Sequence, residues 1–322
     1  MTTEQKGPFD DALDPEMRPI LARMRERMAT RTPMIEIAPA LMRERAAQDF
    51  TVWNEDPPPM AEVRGIEIEA PHILPARLYV PADARAGGGL LVHFHGGGWV
   101  IGDLDFEDRA CRSMALESGV RVLSVAYRLA PETKFPGPVD DCAAAAIWAR
   151  VHAGELGVDE EKIALGGTSA GANLAMAAAL HLREHGMPSP AFMVLLYGVF
   201  AMRTDTESYR LYGGGDYGLG AAALDFFMSL YLRDANDRNN PLASPLLADL
   251  RGLPPSFIAI AGMDPLRDDS RQLVAALRSV NVDVVAREYG GVLHGFTQFA
   301  RASAQGRQAL SDAAQALRAR LG

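Results

Sequence analysis

The sequence predicts an α/β fold, a mainly parallel sheet with helices on both faces. Three observations carry that prediction. Strand-like and helix-like stretches alternate from about residue 90 to the C-terminus, the pattern that crossover connections impose on a parallel sheet. The strand-like stretches, such as Leu90-Leu91-Val92-His93-Phe94, are nearly continuous apolar runs, as expected of strands buried on both sides. The chain has 322 residues, 48% of them hydrophobic, enough for one large core and a smaller covering element.

Residues 9–50 read as two helices. Pro15 and Pro19 fall near the start of the first, where a missing amide proton matters least, and Met17, Ile20, Leu21, Met24 and Met28 follow helical spacing. Pro33 and Pro39 interrupt the chain before a second helix from about Ala40 to Val52, and Pro57-Pro58-Pro59 reads as a stiff connector. Val63, Ile66, Ile68 and then Ala76–Val80 suggest two strands joined by a turn. After the run at 90–94, the spacing predicts strands over Val120–Val125, Ile163–Leu165, Phe192–Tyr197, Phe257–Ala261 and Val282–Tyr289. It predicts helices over Val139–Val151, Ala170–Glu184, Ser270–Ser279 and Gly306–Leu321. Residues 199–245 break the alternation with glycines, aromatics and a helical stretch near Ala221–Leu232. They read as an insertion at the carboxyl edge of the sheet, where ligands bind in such folds.

Charge and composition narrow the function. Lys plus Arg is 32 and Asp plus Glu is 41, a net charge of −9. An acidic chain with no basic run argues against nucleic-acid binding. Cys111 and Cys142 fit neither zinc-ligand nor redox-pair spacing and read as thiols packed in helices. No H-E-x-x-H or similar cluster suggests a metal site, and no apolar stretch reaches the ~20 residues that span a bilayer. The N-terminal stretch MTTEQKGPFDDALDPE lacks the basic and apolar regions of a signal peptide. The expectation is a soluble cytoplasmic protein without a metal or cofactor.

Four segments carry chemistry. Gly167-Thr168-Ser169-Ala170-Gly171 is a G-x-S-x-G between a strand and a helix. A nucleophilic serine on so sharp a turn needs small neighbours, and the Ala170 amide at the helix N-terminus can meet a developing oxyanion. His95-Gly96-Gly97-Gly98-Trp99 follows the apolar run and has the build of an oxyanion loop, because glycines let backbone amides approach a ligand. Asp264 follows the apolar Phe257–Ala261 and can reach an imidazole; Asp268, Asp269 and Asp283 are the alternative carboxylates nearby. His294 lies in a loop after the last strand. Of seven histidines, it alone follows both Ser169 and a strand. His152, His181 and His185 read as helix-surface residues, His93 as a satisfied core histidine, and His95 as a brace for the glycine loop. The chain order Ser169, Asp264, His294 is the order used by α/β-hydrolases.

Taken together, these motifs resemble the bacterial hormone-sensitive lipase family of esterases. The marks are His95–Gly98, Tyr127-Arg128-Leu129-Ala130-Pro131-Glu132, Phe135-Pro136 with Asp140 and Asp141, Gly167–Gly171 continuing to Ala175, Asp264-Pro265-Leu266-Arg267-Asp268, and His294-Gly295-Phe296. They span the chain from about residue 60 to its end. Thr168 points to the branch with threonine before the nucleophile. The resemblance implies an α/β-hydrolase fold with a helical cap: residues 1–55 as the N-terminal part of the cap, 56–322 as the catalytic domain, and a cap insertion at about 199–245. It implies Ser169, Asp264 and His294 as a catalytic triad, and the amides of Gly97, Gly98 and Ala170 as the oxyanion hole. Tyr127–Glu132 would be structural. Tyr197-Gly198 departs from the family's frequent Tyr-Pro and puts the pocket shape in question. A homodimer through the last strand's edge, Val282 to Tyr289, is implied as well.

The expected activity is hydrolysis of short- to medium-chain, small-molecule acyl esters through an acyl-enzyme, with no cofactor. Other acyl bonds (aryl amide, formamide, lactone) fit the same residues, as does acyl transfer to an alcohol. A non-catalytic ligand-binding member of the fold is the remaining alternative; such proteins typically lack a triad member, and none is missing here. Met17, Met24, Met28, Met34 and Met42 in the expected cap read mainly as packing. Phe200, Met202, Tyr209, Phe226, Phe227 and Tyr231 in the insertion read the same way.

Overall fold

The computed structural model describes residues 7–322. Residues 1–6, the start of the expected cap segment, lie outside that range. An eight-stranded sheet runs in the order β1-β2-β4-β3-β5-β6-β7-β8. The strands are β1 (Glu62–Glu69), β2 (Ile73–Val80), β3 (Gly88–Phe94), β4 (Arg121–Val125), β5 (Val158–Thr168), β6 (Phe192–Leu196), β7 (Ser256–Met263) and β8 (Val284–Leu293). β2 pairs antiparallel with both β1 and β4, and every pairing from β4 to β8 is parallel.

The helices are α1 (Met17–Thr30), α2 (Pro39–Asn54), α3 (Asp108–Ser118), α4 (Gly137–Val151), α5 (Ala153–Leu156), α6 (Ala170–Glu184), α7 (Glu207–Tyr212), α8 (Ala221–Tyr231), α9 (Arg267–Ser279) and α10 (Ala304–Leu321). Alternate strand residues feed opposite faces of the sheet. Leu90, Val92 and Phe94 of β3 join the core under α4, α6 and α9. Leu91 joins the core under α1, α3 and α10. Among the described residues, no helix is long and apolar enough to cross a membrane.

Several boundaries differ from the sequence reading. The first helix starts at Met17, so Pro15 precedes it. β5 begins at Val158, five residues before the expected Ile163, because its polar start Asp159-Glu160-Glu161-Lys162 hides the strand pattern. β8 spans Val284–Leu293, not Val282–Tyr289, and Gly290–Leu293, read as loop, is strand. The glycines mask strand character there, yet Met263 pairs with Leu293 across a register shift. Helix α3 has no range in the sequence reading, which places only Cys111 in a helix. Its buried Ala110, Cys111, Met114, Ala115 and Ser118 recur at helical spacing, and Gly119 ends it in the left-handed region with φ 73°.

Candidate active site

Ser169 sits between β5 and α6 with φ 51° and ψ −118°, a conformation that costs a non-glycine residue about 1–3 kcal/mol and recurs at functional sites. The turn is held from outside. Ser169 N–H donates to Leu196 O at 2.9 Å, and Ser169 O accepts from the amides of Ala172 and Asn173. Gly171 lets α6 sit directly on the end of β3: a Cβ there would lie 1.9 Å from Phe94 O.

His294 lies just past β8, and Asp264 just past β7. His294 Nε2 is 2.9 Å from Ser169 Oγ, and His294 Nδ1 is 2.8 Å from Asp264 Oδ2. An ionised carboxylate only accepts, so Nδ1 carries the proton and Nε2 presents its lone pair to the serine hydroxyl. Asp264 is fully buried, and its Oδ1 accepts from Leu266 N at 2.8 Å. The Tyr197 ring meets the imidazole edge-on at 5.3 Å. The other acids are engaged elsewhere. Asp268 accepts from Ser208 N, Asp269 from the amides of Phe200 and Ala201, and Asp283 pairs with Arg320.

The glycine loop after β3 turns with Gly97 at φ 113°, Gly98 at φ 59° and Trp99 at φ 62°. A Cβ on Gly97 would lie 2.2 Å from Ile101 O, so only glycine fits there. Gly97 O accepts from the amides of Val100 and Ile101. The amides of Gly97, Gly98 and Ala170 have no partner among the described residues, whereas Gly96 N–H donates to Glu107 Oε1 at 3.2 Å. The loop is braced by Trp99, which stacks on Tyr231 at 4.6 Å and donates to Asn173 Oδ1. His95 stacks on Tyr127 at 4.5 Å, and the Tyr127 hydroxyl donates to His95 O. His95 Nδ1 meets Gly96 O at 2.7 Å, and burial lowers the His95 pKa, so the ring is a neutral brace. Beyond Tyr127, Arg128 forks onto Asp141 and Glu132 pairs with Arg43 of α2.

His93 is not a fully satisfied core histidine. Nε2 lies 2.7 Å from Glu107 Oε2, but Nδ1 is buried with no partner among the described residues. Glu107 and Gln298 had no signal in the sequence reading. Their partners lie between 11 and 191 residues away, beyond the reach of any local pattern.

Ser169, Gly97, Gly98 and His294 open onto a cavity of about 560 Å³, roofed by α1, α2 and residues of 213–227. Met24, Met28, Met34 and Phe227 line it. Met17, Met42, Phe200, Met202, Tyr209 and Tyr231 are buried packing, so the apolar residues of the two covering segments divide between pocket and core. At Gly198 a side chain would run into Phe200, whose ring comes within 2.3 Å of a built Cβ. A separate polar cleft of about 450 Å³, between α2 and the 102–112 region, contains none of these groups.

A family model described as the α/β-hydrolase fold matches residues 91–298. The chain belongs to the α/β-hydrolase family. Within it, the hydrolase falls in the hormone-sensitive-lipase-like group, alongside bacterial and archaeal esterases. A carboxylic ester hydrolase of Mycobacterium tuberculosis is 40% identical over 258 residues, covering 77% of this chain and 67% of the relative. An arylesterase of Saccharolobus solfataricus is 38% identical, over 77% of this chain and 81% of the relative. Among solved structures, a hyperthermophilic esterase of the archaeon Pyrobaculum calidifontis superposes with a TM-score of 0.91 at 35% identity, over 95% of this hydrolase and 98% of that chain.

Proposed function

We propose that this serine ester hydrolase is a carboxylesterase for short- to medium-chain acyl esters of small molecules, with Ser169 as nucleophile, His294 as base and Asp264 as orienter. The reading rests on one observation: an unbroken Asp264–His294–Ser169 hydrogen-bonded chain that shares a cavity with Gly97 and Gly98, whose amides, like that of Ala170 next to Ser169, have no partner among the described residues. Ser169 Oγ attacks the ester carbonyl as His294 Nε2 takes its proton, and Asp264 stabilises the imidazolium. The oxyanion accepts from the amides of Gly97, Gly98 and Ala170, each worth about 3–4 kcal/mol by analogy with comparable donors. His294 returns the proton to the departing alcohol. Water then attacks the acyl-enzyme by the same route, and the acid is released.

The segments up to residue 55 and over 199–245 act as the cap in this reading, supported by the cavity they share. A covered site favours soluble esters over emulsions. A homodimer along β8 is supported by the strand's place at the sheet edge, with Val285 47% exposed; light scattering with and without a proline in β8 tests it. The function is tested with soluble esters, amides and lactones of varied acyl length, run beside Ser169→Ala. Hydrolysis of a butyrate ester, lost in the variant, is expected. A higher rate on a long-chain triglyceride emulsion, or activity that survives the substitution, overturns the reading.

A further inference from the structure

Glu107 lies at the start of α3, with its side chain 1% exposed and inside the sheet end of the molecule. Four donors converge on its carboxylate. His93 Nε2 meets Oε2 at 2.7 Å. Gly96 N at 3.2 Å, Gln298 Nε2 at 3.3 Å and the Thr168 hydroxyl all donate to Oε1. His93 Nε2, Gly96 N and Gln298 Nε2 have no other partner among the described residues, while the Thr168 side chain also lies within hydrogen-bond reach of Tyr197. The four donors sit next to three working parts. Gly96 precedes Gly97 and Gly98 in the glycine loop. Thr168 precedes Ser169. Gln298 stands in the turn that follows His294 and itself lines the cavity. His93 belongs to β3, the strand that feeds the loop.

We infer that Glu107 is a positioning residue, a single buried carboxylate that fixes the glycine loop, the Ser169 turn and the His294 turn relative to one another. The inference rests on the proposed roles of Ser169, His294 and the loop amides.

The chemistry explains why a carboxylate stands here. An ionised carboxylate only accepts and can take about four hydrogen bonds. Bonds to a charged acceptor are roughly twice as strong as neutral ones. Burial pushes the Glu107 pKa up, but the hydrogen bond and the charge interaction with His93, followed by the bond from Thr168, outweigh it and hold the carboxyl below its ordinary value. Because His93 Nδ1 has no partner, the His93 proton sits most favourably on Nε2, pointed at Glu107. A buried charge without donors would be costly, so the three segments must arrive together for the site to form. Displacements of about 1 Å in such a site can cost about 10²-fold in rate.

A merely stabilising residue would change folding and leave the chemistry per folded site intact. The test therefore counts sites. Glu107→Gln is nearly isosteric, keeping an acceptor for Thr168 while losing the charge. Active sites of the wild type, Glu107→Gln, Glu107→Ala and Gln298→Ala are titrated with an organophosphonate. Then kcat, KM and the rate of Ser169 phosphonylation are measured per titrated site, with Tm alongside. The expected result is about tenfold lower kcat for Glu107→Gln and about 100-fold for Glu107→Ala. KM should stay within twofold, and phosphonylation should slow in step. Gln298→Ala should cost less, and should cost less still when added to Glu107→Gln, since the two share one contact. Should Glu107→Ala not fold, the Gln variant and the Gln298 pair decide the matter. The inference falls if kcat and phosphonylation per titrated site stay within twofold of wild type, or if only KM changes. Phosphonylation does not depend on which ester is the substrate. A wild type that is phosphonylated yet hydrolyses no ester in the panel would therefore sink the proposed function and leave this inference standing.

Discussion

At Ser169, a strained φ of 51° is tolerated because hydrogen bonds from both sides fix the turn. Asp264 has a comparably exposed role despite its burial. It sets which nitrogen of His294 carries the proton, so Asp264→Asn should leave the fold intact and lower kcat by about 10⁴-fold. Steady-state kinetics on a soluble ester checks this, and a loss under tenfold would remove Asp264 from the assignment. These residues were legible because each stands directly after an apolar strand, where side chains project over the sheet edge. The glycine loop was legible through its composition. Glu107 was not, because nothing in Asp105-Phe106-Glu107-Asp108 distinguishes a buried node from an exposed acid. Its meaning arises only when β3, β5 and the turn after β8 are brought together. His93 shows the same limit: alternation within β3 predicted burial, and no local signal indicated which of its nitrogens would be paired.

Between residue and molecule, the elements explain both what was read correctly and what was missed. Strands with continuous apolar runs, β3, β6 and β7, were found close to their observed limits. Strands with polar or glycine-rich ends were cut short, because pairing with a neighbour, and not their own composition, extends them. Helix α9 shows how an element reaches the site from a distance. Its Asp269 is buried and accepts from the amides of Phe200 and Ala201, where the chain leaves β6 for residues 199–245. Its Oδ1 has no partner among the described residues. Burial, the largest cause, pushes its pKa from 3.8 up to about 7. The folded protein therefore keeps a proton between about pH 4 and 7 that the unfolded chain releases. In that window stability falls as pH rises, by up to about 1.4 kcal/mol per unit, and the loss is complete above about pH 7. Carboxylates held low by arginines, such as Asp10, contribute the opposite slope at lower pH. Comparison with Asp269→Asn isolates the Asp269 share. Urea unfolding at pH 5 and 7.5 should show wild type losing stability relative to the variant at the higher pH. A difference that does not change with pH would mean Asp269 is ionised throughout.

Across the whole molecule, the charge is unevenly placed. The chain carries −9, yet the cavity that holds Ser169 is lined by Arg23, Arg27, Arg31 and Arg45 against a single carboxylate, Asp49. Asp49 pairs with both Arg27 and Arg31. Arg45 donates to Thr32 O, Arg23 lies over the Trp53 ring at 5.9 Å, and neither forms an ion pair among the described residues. A pocket mouth of this sign raises the local concentration of anions, and low-dielectric walls strengthen the field. An ester that bears a carboxylate at its far end, such as the monomethyl ester of a dicarboxylic acid, should have a lower KM than a neutral ester of equal length. The advantage should be severalfold at low salt and should shrink as ionic strength rises past 0.1 M, where the screening length is about 10 Å. Replacing Arg23 and Arg45 with glutamine should remove it while leaving kcat on the neutral ester unchanged, because neither side chain contacts the reacting atoms. Equal KM values for the two esters at low salt would mean that the arginines serve only to hold α1 and α2 together. The acidic remainder of the surface would then set the field that a substrate meets.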